Sequence, residues 1–343
     1  MNDYSLSWID LHSGAERARV EELLRRQGIR LDANLDRCLG IFDAEDTLIA
    51  TGSCFRNTLR CIAVSSAQLG KGWMEPLVSR LCETVFEQGY INVYVYTKAV
   101  AAPYFKALGF HEIVSIDEGV SFLEYKRSGF PSYLRRLSAC RGKKAACAVV
   151  MNANPFTLGH RYLVEQAAKD YAAVHVFVVS EDCSAVPFAV RKTLVERGCA
   201  DINGVCVHSS GDYIISSATF PSYFLEDESQ TVRAQAKIDA VIFTRIAETL
   251  GVDCRYLGSE PLSDTTAIYN EILSEVLPEA GIACRILPRL ADSRGETISA
   301  SKVRAFIRQG RLPDISEYVP ASTLAYFLSP EAAPVIDRIR ALP

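Results

Sequence analysis

The run Ala145-Ala146-Cys147-Ala148-Val149-Val150-Met151 is apolar from end to end. It is short, so a buried strand fits it better than a helix. A loop holding Asn154-Pro155 follows, then helical spacing from Leu158 to Asp170, then a second apolar run, Val174–Ser180. Strand, loop, helix and strand in that order form a right-handed βαβ unit with parallel strands. Further strands are expected at Gly204–His208, Arg255–Gly258 and Ala283–Leu287, between helices at 187–197, 230–250, 265–276, 300–309 and 320–328. This alternation predicts a doubly wound α/β domain with a parallel sheet, whose ligands bind at the carboxyl ends of the strands.

The residues before that run read differently. Helical spacing covers 14–26, and strands are expected at Cys38–Asp43, Thr47–Ser53, Cys61–Val64, Ile91–Thr97, Phe110–Ile116 and Phe122–Tyr125. A helix running to about Gln88 and a short one at Pro103–Leu108 complete an α+β domain. A chain of 343 residues is long enough for two domains. The break falls in a stretch with seven basic residues (126, 127, 135, 136, 141, 143 and 144) and no acidic one. The expected division is therefore 1–128, a basic linker at 129–144, and 145–343. The linker reads as a solvated connector with a short helix at 132–140, or as a patch that meets phosphates or an acidic partner.

Charge and composition exclude several classes. Lys and Arg number 37 against 41 Asp and Glu, a net charge of −4, which argues against a nucleic-acid binder. No stretch approaches the roughly 18 apolar residues of a membrane span, and no signal peptide is visible. The eleven cysteines include no C-x-x-C pair. They read as small buried hydrophobes in a reducing cytoplasm rather than as disulfides, a zinc site or a nucleophile.

No P-loop, G-x-G-x-x-G or H-E-x-x-H motif is present. Two other motifs carry the chemistry. The first is Asn152-Ala153-Asn154-Pro155-Phe156-Thr157-Leu158-Gly159-His160, where the first parallel strand feeds its helix. Gly159 lets the backbone approach a phosphate, and the amides of a helix N-terminus favour an anion. His160 and Thr157 can donate to phosphoryl oxygens from that turn. The second is Glu296-Thr297-Ile298-Ser299-Ala300-Ser301-Lys302-Val303-Arg304. Ser299 and Ser301 are good N-cap residues, and with Lys302 and Arg304 they suit a polyphosphate. Arg191 and Arg233 are candidate phosphate contacts or solvated arginines. Gly258 and Glu260 end a late strand beside the expected pocket.

In this order, T-x-G-H and I-S-x-S-x-x-R resemble the nucleotidyltransferase superfamily. The stretches Asn154–Val164, Ala218–Leu225 and Leu257–Ser263, with Thr266–Asn270 beyond, resemble the citrate lyase ligase family. That family carries a first domain similar to GNAT N-acetyltransferases, and Thr97-Lys98, Tyr104-Phe105 and Leu108-Gly109-Phe110 resemble its later motif. The resemblance covers nearly the whole chain. It implies a GNAT-like α+β domain followed by a Rossmann-like nucleotidyltransferase domain. It also implies a cytoplasmic ligase that uses ATP and acetate to acetylate a thiol through acetyl-adenylate, releasing AMP and pyrophosphate. The thiol belongs to a dephospho-CoA-type prosthetic group on the acyl carrier subunit of citrate lyase. Catalytic residues would be His160 and Thr157. ATP would contact Asn152, Asn154, Phe156, Gly159, Gly258, Glu260, Ser299, Ser301, Lys302 and Arg304. Mg²⁺ would travel with ATP, with no protein ligand set expected. Phe156, Phe220 and Tyr223 are candidates for the acetate pocket or for core. One departure stands in the first domain. Where GNAT proteins carry an acyl-CoA pyrophosphate loop, this chain has Leu69-Gly70-Lys71-Gly72-Trp73-Met74. Gly70, Lys71 and Gly72 can still approach a phosphate, but Leu69 and Met74 break the pattern and leave catalysis or carrier binding open for this domain. Two other activities compete: transfer of an adenylyl or cytidylyl group to a phosphorylated acceptor, and GNAT acetyl transfer with a nucleotide-sensing domain.

Overall fold

A computed structural model describes residues 4–341 except 127, 182–183, 215–219, 222, 224, 226–227 and 260–263. The expected site residue Glu260 and most of its surrounding string lie outside the described residues, as do Arg127, Cys183, Ser222 and Phe224. The chain forms two compact units. The first takes residues 1–132 and 220–234, the second 133–219 and 235–343. The stretch 220–234 thus groups with the first unit although it lies inside the later part of the sequence.

The first unit contains β1 (Ser5–Ile9), α1 (Gly14–Arg26), β2 (Arg37–Phe42), β3 (Leu48–Phe55), β4 (Thr58–Val64), α2 (Met74–Glu87), β5 (Tyr94–Lys98), α3 (Ala102–Ala107), β6 (His111–Ile116) and β7 (Val120–Glu124). Its seven strands run in the order β1-β2-β3-β4-β5-β7-β6. β1 is an addition to the sequence reading: four of its five residues are exposed, so it shows no buried alternation. Every pair is antiparallel except β4 and β5. Those two pair in parallel only at Thr58↔Tyr94 and Leu59↔Val95. Beyond that register the strands part, and Ile62–Val64 and Val95–Lys98 line a cavity of about 490 Å³. α2 packs Leu77, Val78, Leu81 and Val85 into the core on this sheet.

The second unit opens within α4 (Gly129–Ser138). It continues through β8 (Ala146–Met151), α5 (Leu158–Asp170), β9 (Ala173–Val178), α6 (Phe188–Gly198), β10 (Val205–Ser209) and, from Gln235 onward, α7 (Glu228–Leu250). β11 (Val252–Gly258), α8 (Asp264–Glu279), β12 (Ala283–Leu287), α9 (Ala300–Arg308), α10 (Ala321–Leu328) and α11 (Ala333–Ala341) follow. α11 is a second addition. Its strands order β10-β9-β8-β11-β12 and are parallel throughout. Strand order reverses between β8 and β11, so the crevice at their carboxyl ends is where a doubly wound sheet binds its ligand. The apolar run that anchors the sequence reading is the central strand, and five of its six residues are buried. Among the described residues no helix is long and apolar enough to cross a membrane.

Candidate active site

The loop leaving β8 turns sharply to start α5. Ala153 is fully buried and sits in the left-handed region at φ 52°, a conformation that costs a non-glycine residue roughly 1–2 kcal/mol. The Asn154–Pro155 peptide is cis. Arg191, on α6, holds this loop from beneath. Its Nε donates to the Val186 carbonyl (2.9 Å), and Nη1 donates to the carbonyls of Asn152 (2.8 Å) and Val179 (2.7 Å). Nη2 donates to the Glu181 carbonyl. Arg191 is 0% exposed. This corrects its reading as a phosphate contact: its guanidinium satisfies backbone carbonyls that the bend leaves without ladder partners.

Thr157 caps α5. The backbone N–H of His160 donates to Thr157 Oγ1 (3.4 Å), and the Thr157 N–H donates to His160 Nδ1 (3.1 Å). The His160 ring thus closes a capping box from the position where glutamate is usual. A backbone N–H can only donate, so Nδ1 is the acceptor and carries no proton. The neutral ring therefore keeps its proton on Nε2. Burial, and then the charge of Arg289, push its pKa down to about 4, so the ring is neutral at pH 7. Phe156 stacks on it with centroids 5.9 Å apart. Phe156 itself is 0% exposed and part of the core. That corrects its assignment to ATP and acetate contact: it supports the histidine from behind.

The second motif meets the first. A Cβ built on Gly159 would lie 3.2 Å from the Ile298 carbonyl oxygen. The Arg304 Nη1 donates to the Asn154 carbonyl (2.6 Å) and Nη2 to Ser301 Oγ (3.1 Å). Ser299 caps α9 by accepting from the Lys302 N–H (3.2 Å). Two helix N-termini, capped by Thr157 and Ser299, are thereby brought side by side at the carboxyl end of β8. Burial, then Arg308, lower the pKa of Arg304.

Lys302 behaves otherwise than expected. Its Nζ donates to Asp292 Oδ2 (3.1 Å) and to Glu296 Oε2, and it lies 4.7 Å over the Tyr318 ring. The Glu296 bond, first, raises its pKa. Lys302 therefore braces the turn at 292–296, where Asp292 Oδ1 also accepts the N–H groups of Arg294 and Glu296. Its assignment as an ATP contact is corrected on this ground.

The remaining candidates distribute as follows. The exposed Asn152 side chain is held by the Ser184 hydroxyl (3.1 and 3.2 Å). Asn154 Oδ1 accepts from the Val186 N–H (2.9 Å). Gly258 ends β11 with open space above its Cα, and its carbonyl accepts from Asn270 Nδ2 (3.2 Å). Arg233, Phe220 and Tyr223 belong to the first unit. Phe220 packs edge-on against Tyr96, and Tyr223 lines the β4–β5 cavity. Gly70 and Gly72 sit at φ 77° and 84° on that cavity's rim with no atom near a built Cβ, and Lys71 beside them is exposed. Met74 and Trp73 line its wall.

Arg289 is the functional candidate that sequence reading missed. It follows β12 by two residues, its charge acts on the His160 ring, and its Nε donates to the Ser259 carbonyl (2.9 Å). Burial lowers its pKa. No local motif marks it, because only the pairing of β12 beside β11 brings it within electrostatic reach of His160.

Comparison with known proteins adds the following. A family model described as the citrate lyase ligase C-terminal domain matches residues 146–327. The citrate (pro-3S)-lyase ligase of Klebsiella pneumoniae is 34% identical over 319 residues, covering 91% of this chain and 92% of the relative. The enzyme of the same name from Escherichia coli K12 is 34% identical, with coverage of 90% and 89%. Among solved structures, a GNAT-family acetyltransferase from Staphylococcus aureus covers 36% of this chain and all of its own, at 14% identity and TM-score 0.31. A Vibrio parahaemolyticus protein assigned as a nicotinate-nucleotide adenylyltransferase covers 58% of this chain and 97% of its own, at 13% identity and TM-score 0.36. Both structural likenesses are loose, and the fold class rests on the strand orders themselves.

Proposed function

The chain belongs to the citrate lyase ligase family, and from that premise we propose that it acetylates the prosthetic-group thiol of the citrate lyase acyl carrier, using ATP and acetate. The observation that carries the reading is the convergence of the α5 and α9 N-termini around a neutral His160.

In the first step an acetate oxygen bonds to the α-phosphorus and the bond to the bridging oxygen of pyrophosphate breaks. Acetate is already ionised, so no protein base is required. Negative charge grows on the departing pyrophosphate and on the nonbridging oxygens. Thr157 holds Nδ1 and so keeps the proton on Nε2, from which His160 donates a hydrogen bond there; a neutral imidazole is too weak an acid to transfer it. The Gly159 amide in the first turn of α5 and the Ala300 and Ser301 amides opening α9, with the Ser301 hydroxyl and Arg304, bind the β- and γ-phosphates; the Leu158 amide instead donates to the Tyr318 carbonyl (2.9 Å). Arg304 gives the site one further property: by also holding the Asn154 carbonyl it keeps the two helix starts in register, so the donors are fixed before substrate arrives. Arg289 adds fixed positive charge beside the ring. When bound with ATP, Mg²⁺ offsets triphosphate charge. Asp292 is engaged by Lys302 and would not hold that ion, which would keep phosphate oxygens and water as its ligands.

In the second step the carrier thiolate attacks the acetyl carbonyl and AMP leaves. The β4–β5 cavity of the first unit supports a role in receiving the carrier's prosthetic arm. It is mostly apolar in its lining, and the Gly70–Gly72 turn on its rim leaves amides accessible to phosphate. The described cysteines are all free, which suits a reducing cytoplasm as the place of action.

The test is ATP–³²P-pyrophosphate exchange by the purified chain with Mg²⁺, with and without acetate. Exchange that requires acetate supports carboxylate adenylation. Exchange that requires a phosphorylated acceptor instead refutes it.

A further inference from the structure

Three metal-binding side chains converge in the second unit, apart from every residue assigned to the nucleotide. The sulfurs of Cys140 and Cys206 and a ring nitrogen of His208 all lie within 4.8 Å of one another. Their meeting follows from strand geometry. Residues two apart on a strand face the same side, so Cys206 and His208 share one face of β10. β10 is the edge strand, paired in parallel with β9 at Cys206↔His175, which puts His175 on that face too. The His175 Nδ1 lies 2.9 Å from His208 Nε2. The turn after α4, fixed by the Cys140 N–H donating to the Leu137 carbonyl (2.8 Å), brings the third ligand over the edge.

We propose that Cys140, Cys206 and His208 bind one Zn²⁺ ion, with water as fourth ligand and His175 positioning the His208 ring. Two thiolates and an imidazole select zinc over the hard cations that prefer oxygen. Zinc–sulfur bonds of about 2.3 Å at a tetrahedral angle place two sulfurs about 3.8 Å apart, so the sulfurs, already within 4.8 Å, need approach by no more than about 1 Å. Binding converts two thiols to thiolates and releases two protons, while the imidazole ligand stays neutral. A metal-ligating histidine ordinarily has its other ring nitrogen hydrogen-bonded, and His175 supplies that partner. The ion would pin the end of α4 to the edge strand of the parallel sheet, where the Tyr133 hydroxyl of the same helix already donates to the Ser209 carbonyl (3.3 Å).

The experiment is a titration of the reduced, full-length, metal-free protein with Co²⁺, followed by displacement with Zn²⁺ and by metal analysis after gel filtration. The expected result is one equivalent of tetrahedral cobalt with thiolate charge-transfer absorption, displaced by one equivalent of zinc. Cys140 is exposed, so Cys140→Ser tests ligation without disturbing the core. It should abolish the charge-transfer pattern of two thiolates and weaken zinc binding. His175→Ala should weaken zinc by about 10–100-fold, the effect of losing a ligand's orienting partner. Cys284→Ser, on the opposite edge strand, should change neither. Three results would overturn the proposal: no tetrahedral cobalt spectrum, a spectrum unaltered in Cys140→Ser, or isolation of the reduced-buffer protein with a Cys140–Cys206 disulfide in place of the two thiols.

Discussion

Replacing His160 by alanine separates a phosphate donor from a structural cap, because the two roles have different sizes. As a donor to a transition-state oxygen, one such group is worth about 10²–10³ in turnover, or about 2.7–4 kcal/mol. As a cap, the ring Nδ1 accepts from the Thr157 N–H at 3.1 Å and from the Thr157 hydroxyl at 2.8 Å, and Thr157 is 1% exposed. Losing that acceptor orphans an N–H at a helix start and frees a hydroxyl that can rotate to another partner, together worth about 1 kcal/mol. For a unit of this size, 1 kcal/mol moves the thermal midpoint by about 2–4 °C. The expected outcome is therefore acetate-dependent pyrophosphate exchange reduced at least about 100-fold, with a midpoint lowered by only a few degrees. Exchange and midpoint are measured on the same preparation, by radiolabel incorporation and by scanning calorimetry. Exchange within a few-fold of the parent would refute the donor role. A collapse of the midpoint together with unchanged exchange per folded molecule would reassign the ring to the cap alone.

Other expectations come from neighbouring contacts. The His160 pKa is near 4 when folded and about 6.5 when unfolded, so the unfolded chain binds the extra proton between those values. The stability linked to neutral His160 is present in full above pH 6.5 and is lost as pH falls toward 4. Urea midpoints of the parent should fall faster across that window than those of His160→Ala, and parallel curves would contradict the assignment. Gly159→Ala places a methyl 3.2 Å from the Ile298 carbonyl oxygen, which belongs to the other motif's backbone. It should raise KM for ATP and lower exchange with small loss of stability, and an unchanged KM would show that the two helix starts tolerate separation. Asp239→Ala removes the carboxylate partner of Arg255 (3.1 Å) in the core and leaves that charge to Tyr269 and the Phe243 ring. It should cost about 3–5 kcal/mol in chemical unfolding, and a loss below about 1 kcal/mol would mean that water reaches the arginine.

Much of this protein is written locally. The apolar run before Asn152, the capping sequence at Thr157–His160 and the serines at 299 and 301 each act through neighbours within a few residues, and periodicity and cap chemistry reveal them. β1 and α11 escaped because one shows almost no burial and the other lies past the last motif. The functions of charged side chains were decided elsewhere. Arg191 and Arg304 look alike in sequence, yet one is buried among carbonyls while the other bridges Asn154 and Ser301, residues far apart in the chain on one side of that bridge. Lys302 looked like a phosphate ligand until the turn at Asp292 and Glu296 came within reach of it. Cys140 meets Cys206 and His208 only because α4 ends over the edge strand. Helix starts, turns and strand faces depend on short-range sterics and backbone hydrogen bonds, so sequence alone determined where the two capped helix starts at Thr157 and Ser299 would form. Which charge remains available to a ligand depends on which opposite charge or carbonyl the folded chain brings to it, and only the tertiary structure decided that.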